Sequence, residues 1–580
     1  MAELLISPGV LSREQDRSFI APAALEAGAA FIGPTVKGPV EEPTVVTSYG
    51  DYQRAFGTTF ESGSNKFEFL TSLAVKSYFE QGGNSALITR VVSGSFTGAS
   101  NTTIAAEDGG AAPFTLQTLS KGYILNNSTG ASDAGELNSD GSLASGSADN
   151  IRWEITNVDE GVGTFSLIIR RGDDNNKQKT VLESFNDLSL DPNNENYISK
   201  IVGDQYKTKS TDGTQTYIAT NGSYVNRSKY VRINSVDRQT LNYLANDGIN
   251  RSDDNYTGSL PIASSGSFHG ATGNLYKHDA PNNMFSDITN ANAQGLVASN
   301  YTDAISILTN QDEYVFNIVS APGLIYANGD HKTQLDSIIS LASDRGDCIA
   351  VVDLSSYGTS VSNAAGNAAS VNSSYAATYW PWLQMASSTG KNEFVPASVV
   401  IPGVYAFTDS AAAPWFAPAG LTRGGISNVI QAERKLTRSQ RDTLYAANVN
   451  PIATFPGSGI SVFGQKTLQK KKSVLDRVNV RRLLIALKKF LGDQAKTLVF
   501  EQNTIATRNS FLAAVNPYLE SVVNRQGLYA YRVVMDDSNN TADVIDRNQL
   551  IGQIFIQPAK TAEFITLDFV IEPTGATFGA

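Results

Sequence analysis

The residues in this chain with the widest chemical reach are few. There are three histidines, His269, His278 and His331. None stands in an HExxH pair or beside a serine in a GxSxG elbow. Gly457-Ser458-Gly459 comes nearest to an elbow, but Phe455 occupies the place of its first glycine, so a turn is expected. The single cysteine, Cys348, permits no internal disulfide and no thiolate zinc site. Asp173-Asp174, Asp253-Asp254 and Asp536-Asp537 are adjacent carboxylates, whereas glycosidase carboxylates must face each other across a sugar. They also lack EF-hand spacing, so each pair is read as a solvated turn. Arg171-Gly172-Asp173 has the form of an adhesion tripeptide but follows a β run and is read as a turn. No glycine-rich phosphate loop lies between a strand and a helix. The expectation is a protein that is not an enzyme, with no catalytic residue, cofactor or metal.

Two other features carry more information. Between Lys466 and Lys489 stand nine basic residues (Lys466, Lys470, Lys471, Lys472, Arg477, Arg481, Arg482, Lys488 and Lys489) against one acid, Asp476, in a chain of formal net charge −11. A nucleic-acid patch, a solvated helix face and a contact with an acidic protein partner all remain open, although the segment has few aromatics to stack bases. The second feature is the pair of chain ends. Ser7-Pro8-Gly9-Val10 resists helix, and Phe564-Ile565-Thr566-Leu567-Asp568-Phe569 alternates like a strand before a small-residue tail from Pro573 to Ala580. Such segments either fray or add as strands to exposed sheet edges of neighbouring subunits.

The elements that must position these residues follow from patterning. At 580 residues the chain exceeds one ordinary core, so several domains are expected. With 41% hydrophobic and 17% charged residues it is neither disordered nor, lacking an 18-residue apolar run, a bilayer-spanning chain. A pI near 5.0 argues against the whole molecule coating nucleic acid. The start has no positive stretch before an apolar run, so synthesis and folding in a cytoplasm are expected. From Met1 to about Val92, Ala29–Gly33 and Val45-Val46 read as strands, Phe67, Leu70, Ala74 and Tyr78 as one helix face, and Ala86–Val92 as a further strand: a βαβ-type unit. Residues 93–300 are rich in Ser, Gly, Asn and Asp, with an expected hairpin of Ile151–Ile155 and Thr164–Arg170. Beyond 300 the α/β pattern resumes. Tyr314–Val319 and Cys348–Val352 read as parallel strands joined by a helix around Leu335–Leu341. Thr437-Arg438-Ser439-Gln440 is a capping-box signature. A helix starting at Asp476 would place Val480, Leu483, Leu484, Leu487 and Leu491 on one face. The expected class is a multidomain α+β or α/β protein with an inserted β-rich part.

Short motifs in a fixed order add a resemblance. Ser7-Pro8-Gly9-Val10, Ala30-Phe31-Ile32-Gly33, Lys37-Gly38-Pro39 and Tyr78-Phe79-Glu80-Gln81-Gly82-Gly83 open the series. Pro396-Ala397-Ser398, Gly403-Val404-Tyr405-Ala406 and Ala417-Pro418-Ala419-Gly420 continue it. Asn448-Val449-Asn450-Pro451-Ile452, Phe455-Pro456-Gly457-Ser458-Gly459-Ile460, Val478-Asn479-Val480-Arg481-Arg482-Leu483 and Val499-Phe500-Glu501 close it. In this series the chain resembles bacteriophage contractile tail sheath proteins. Val181–Ser189 is similar to the larger T-even-like sheaths, and Phe463 stands where many relatives carry Trp.

The resemblance implies a structural, force-generating homo-oligomer of stacked hexameric rings, or a six-start helix, around an inner tail tube. Its partners would be the tube protein and the baseplate and tail terminator proteins, with no direct nucleic acid and no membrane insertion. It would be assembled in the host cytoplasm and reside in the virion. The implied division is an N-terminal arm at 1–20, core at 21–92 and 301–435, an outward-facing β-rich insertion at 93–300, an inner domain at 436–571 and a C-terminal arm at 572–580. Ser7, Pro8, Gly9, Val10, Phe564, Thr566, Asp568 and Val570 would take part in strand exchange. Lys466, Lys470, Lys471, Lys472, Arg477, Arg481 and Arg482 would face the tube. A tailocin or other contractile injection system is the alternative within this class; a secreted β-rich glycan hydrolase or adhesin is the alternative outside it.

Overall fold

In the computed structural model, residues 25–62, 65–127, 137–213, 215–245, 248–274 and 288–566 are described. Ser7, Pro8, Gly9 and Val10 of the expected N-terminal arm, and Asp568 and Val570 among the expected strand-exchange residues, lie outside them, as does His278.

The chain enters the core as β1 (Leu25–Gly33), followed by β2 (Thr44–Val46), α1 (Leu70–Glu80) and β3 (Ala86–Arg90). Helix α1 starts later than its apolar spacing suggests, because Phe67 belongs to a short strand, Asn65–Glu68, paired with Thr59–Ser62. There Phe67 packs with Phe60 and Phe69 in a small satellite cluster.

The next segment forms the β-rich part. β4 (Ile151–Asp159), β5 (Thr164–Arg171) and β6 (Val181–Ser189) make an antiparallel sheet with Ser264–Gly266 on its edge. The β4–β5 hairpin pairs Trp153 with Ile169 and Ile155 with Leu167. A second sheet joins Val231–Val236, Phe114–Lys121, Gly98–Asn101 and Phe268–His269. The two share one core, in which Phe114 and Phe165 stack at 5.5 Å between centroids. A hairpin of β7 (Tyr206–Asp212) and β8 (Gln215–Asn221) returns to the α/β part. Lys209 pairs there with Glu41 at 2.9 Å and Asp303 at 2.6 Å, and Lys207 with Glu42 at 2.8 Å.

The α/β core then resumes with β9 (Tyr314–Ile325), α2 (Gly329–Arg345), β10 (Ile349–Asp353) and β11 (Ala376–Ala377). The sheet order is β11-β10-β9-β1-β3-β2, parallel throughout except for β2 against β3. Both faces are covered, which is why these strands read as continuous apolar runs. Ala29 and Phe31 point toward α1 and α3 (Ile401–Ala411), while Ala30 and Ile32 point toward α2. Cys348, at the foot of β10, is fully buried, and burial pushes its thiol well above the ordinary range.

The C-terminal part comprises α4 (Arg438–Ala446), the hairpin β12 (Asn450–Phe455) and β13 (Gly459–Val462), helices α5 (Val478–Lys496) and α6 (Ile505–Asn524), and β14 (Leu528–Val534) and β15 (Gln553–Pro558). Thr437 and Gln440 form the expected capping box on α4. Gly457-Ser458-Gly459 is the β12–β13 turn, its glycines at φ 77° and 76°. Asp476 sits in a 3-10 turn ahead of α5 and does not cap it: Arg477 occupies the N-cap with no side-chain bond. Leu483 and Leu487 of α5 pack against Phe511, Val515, Leu519 and Val522 of α6.

One buried acid gives a pH prediction. Asp353 ends β10, fully buried, where Ser398 N donates to Oδ1 at 3.1 Å and Ser398 Oγ donates to Oδ2. Burial pushes its carboxyl up to about 7, against the lowering by the Ser398 bonds. The folded chain therefore holds a proton that the unfolded chain has released, so this contribution is present at low pH and lost as pH rises through about 7. Asp353→Asn is expected to flatten the fall in melting temperature between pH 5 and 8. The difference should be on the order of 3 kcal/mol, and calorimetry of both proteins across that range measures it.

Candidate assembly site

The β14–β15 ladder runs from Val534↔Gln553 through Tyr531↔Ile556 to Leu528↔Pro558. It is a two-stranded sheet, and among the described residues neither outer edge has a ladder partner. An isolated hairpin is marginal in water, so its apolar face rests on α6. Leu528 is buried there, and Tyr531, Val533, Ile554 and Ile556 pack against the same cluster. The opposite face shows Tyr529 and Phe555 to solvent. Each unpaired edge presents backbone donors and acceptors at strand spacing, a template for added strands.

Beside this sheet the chain is tied down by a polar clasp. Gln465 Nε2 donates to Thr561 Oγ1 at 2.6 Å. Glu563 accepts from Arg477 Nε at 2.7 Å, Arg477 Nη2 at 3.0 Å, Tyr445 Oη at 2.7 Å and Gln465 Nε2 at 3.1 Å. Burial acts to raise the Glu563 carboxyl, but the Arg477, Tyr445 and Gln465 bonds outweigh it and hold it below the usual range. Immediately beyond, Phe564 is 83% and Ile565 78% exposed, and residues 564–566 adopt no regular structure. The alternating pattern there anticipates a strand, but a strand requires a ladder partner, and none is present in the single chain among the described residues. Glu563→Ala should free the segment after Pro558 without unfolding the core. The cost is about 1–2 kcal/mol, and earlier proteolytic cleavage near residue 560 is the readout.

The basic segment does not form one patch. Arg482 is 4% exposed and ion-paired with Asp409, with its guanidinium over the Tyr405 ring. Arg481 lies buried over the Tyr375 ring at 3.9 Å. Arg477 serves the clasp, and Lys466 Nζ donates to the Tyr445 carbonyl at 2.7 Å. Lys470, Lys471 and Lys472 stand on an exposed loop, where Lys470 Nζ donates to the Ala369 carbonyl. Four of the seven expected tube-facing cations thus turn into the fold, because aromatic faces and carboxylates distant in sequence receive them.

Histidine and acid positions are equally informative. His331 is buried in α2, where its Nδ1 accepts from Ile325 N at 3.1 Å. Asp174 is no solvated turn residue: it is buried and receives Arg170 Nε and Nη2, both at 2.8 Å. The signal for it was Arg170 and Asp174 four residues apart, with Arg152 and Glu154 alternating on β4, and neither spacing is distinctive by itself.

The chain matches the phage tail sheath protein central domain over residues 294–468 and the phage tail sheath C-terminal domain over residues 470–572. A tail sheath protein of Vibrio phage KVP40 is 43% identical over 188 residues, 32% of this chain and 28% of that protein. One from Enterobacteria phage T4 is 42% identical over 187 residues, with the same shares. Residues 294–572 of the chain belong to the phage tail sheath family. The matched stretch spans less than a third of either sheath relative's length. The crystal structure of a sheath tail protein from Listeria innocua shares the fold, with a TM-score of 0.51 at 10% identity, over 92% of this chain and 96% of that one. The open-edged hairpin lies within the stretch matching the sheath C-terminal domain, and the clasp ties Arg477, Thr561 and Glu563 of that stretch to Tyr445 and Gln465 of the stretch matching the central domain.

Proposed function

We propose that the chain is the structural subunit of a contractile tail sheath. It polymerises around an inner tube as stacked hexameric rings or a six-start helix, and shortens to drive the tube through a bacterial envelope. The observation that carries this reading is the β14–β15 sheet, whose two edges are open among the described residues, beside the clasped segment ending in the exposed Phe564 and Ile565. Neighbouring copies would lend the arms at 1–20 and 572–580 as edge strands, with Ser7–Val10 and residues 564–570 in the exchanged segments. The part at 93–300 would face outward and the part at 436–571 inward. The partners are then further copies, the tube protein, the baseplate and the terminator; the place is the virion after assembly in the host cytoplasm. No catalytic step, nucleic acid or membrane insertion enters. Negative-stain microscopy of concentrated protein, with and without its tube, is expected to show hollow cogwheel tubes. Strictly monomeric protein in every buffer overturns the reading.

Tube contact would fall to the exposed Lys470, Lys471 and Lys472 facing an acidic tube. Exposed pairs contribute at most about 1 kcal/mol each, but the lattice repeats them. Reversing all three to Glu is expected to reduce co-assembly on tubes at physiological salt, measured by co-sedimentation. Unchanged co-assembly points instead to the helix beginning after Thr504.

A further inference from the structure

Phe500 is the most exposed large apolar side chain among the described residues, at 101% of its reference area. It stands in the turn between α5 and α6, with φ 71°, a left-handed conformation that bulky residues rarely adopt. Val499 next to it and Ile505 at the start of α6 are also exposed. Lone surface apolar residues are ordinary. An aromatic held fully outward on a strained backbone, in a turn that also exposes Val499 and leads to an exposed Ile505, is not.

A receptor of matching chemistry exists on the same molecule. A groove of about 290 Å³ runs along α5 where α6 meets the core, walled by Pro414, Ile485, Ala486, Phe490 and Tyr518. A cavity of about 150 Å³ suffices for benzene, so a phenyl ring and adjoining backbone fit. Arg482 lines the groove. Its Nη2 is taken by Asp409, but its Nη1 has no hydrogen-bond partner among the described residues, and the side chain is 4% exposed. A buried guanidinium N–H left unpaired is unfavourable, so a small shift of Arg482 toward the groove would let an aromatic group followed by an acceptor satisfy it. Phe500-Glu501 has that order, and Glu501 is exposed. Lys489 and Asp493, which also line the groove, offset one another in charge. The turn lies beyond the end of α5, more than about 10 Å along the axis from the groove's centre, so Phe500 does not fill its own groove.

We propose that Phe500 of one copy enters the groove of the next, with the Glu501 carboxylate accepting from Arg482 Nη1 after the Arg482 side chain shifts to open that atom to the groove. Knob and receptor are different patches of the chain, so when each copy engages two different neighbours the contact is head-to-tail and propagates as an open helix. The inference rests on the sheath reading and adds a side-chain contact to the backbone exchange already proposed.

The test places the photoreactive p-benzoylphenylalanine at position 500 in full-length protein, mixes ¹⁵N-labelled with unlabelled copies, assembles and irradiates. Mass spectrometry is expected to find cross-links between copies on peptides bearing Ile485–Phe490 or Tyr518. Phe500→Ala and the groove-filling Ala486→Trp should each raise the critical concentration for assembly about tenfold or more with unchanged circular dichroism. Phe500 is fully exposed, so its variant stays interpretable even if Ala486→Trp misfolds. Cross-links to another face of the chain or to tube protein overturn the contact while leaving the sheath reading standing, as does Phe500→Ala assembling at the wild-type concentration. Wild-type protein that never assembles overturns both.

Discussion

Lysines at Tyr529 and Phe555, or deletion of residues 1–20 or 572–580, are expected to leave a folded monomer that builds no long polymers. Tyr529 and Phe555 project from the solvent face of the β14–β15 sheet, so charge there costs the monomer little. An incoming strand would have to lay its side chains across them, and charged edge residues are the common natural device against such pairing. Under the proposed exchange, truncation would remove a lent arm and the lysines would spoil the acceptor, so the two interventions act on opposite partners of one ladder. Mixing a truncated copy with an edge-lysine copy should therefore give at most short, capped oligomers. Electron microscopy with sedimentation velocity separates the outcomes. Sheaths of normal length from either variant would falsify strand exchange as the source of polymer continuity.

Asp174→Ala carries the largest expected effect on stability. Arg170 is fully buried with two bonds to Asp174, and its Nη1 donates to Glu154 at 3.0 Å. Arg152 approaches the same aspartate at 3.4 Å, and Thr180 N donates to it at 2.9 Å. Burial first, and then the neighbouring Arg170 charge, already lower the Arg152 guanidinium from its ordinary range. Removing Asp174 strands two buried cations with Glu154 as the nearest carboxylate, and breaking a buried pair on one side costs about 3–5 kcal/mol. The β-rich part should melt first and by itself, which calorimetry would report as a low-temperature shoulder. Asp253→Ala, at an exposed acid of the same part, should leave the profile unchanged.

The contrast between these aspartates marks where sequence reading stops. Strands buried on both faces were legible, because Ala29–Gly33 and Cys348–Val352 are apolar at every position and no other environment suits such runs. The capping box at Thr437 and the turn at Gly457 were legible because their chemistry lies within four residues. Phe67 was assigned to the wrong element because its spacing to Leu70 and Ala74 satisfies a helix equally well; its burial against Phe60 and Phe69 decided otherwise. The assembly site was half legible. Alternation announced the exposed end at Phe564, but the Glu563 clasp joins residues up to 118 positions apart. The basic segment was legible as charge and misleading as a surface, since Tyr375, Tyr405 and Asp409 receive its arginines from elsewhere in the chain.

Cys348 has a practical consequence. Its thiol is sealed at the foot of a central strand and held protonated by its surroundings, and it is the only one in the chain. Maleimide dyes should therefore ignore the native protein and attach only where a new cysteine is introduced. Pairs of such labels would let energy transfer test, in real time, the proposed movement of adjacent subunits as the lattice shortens.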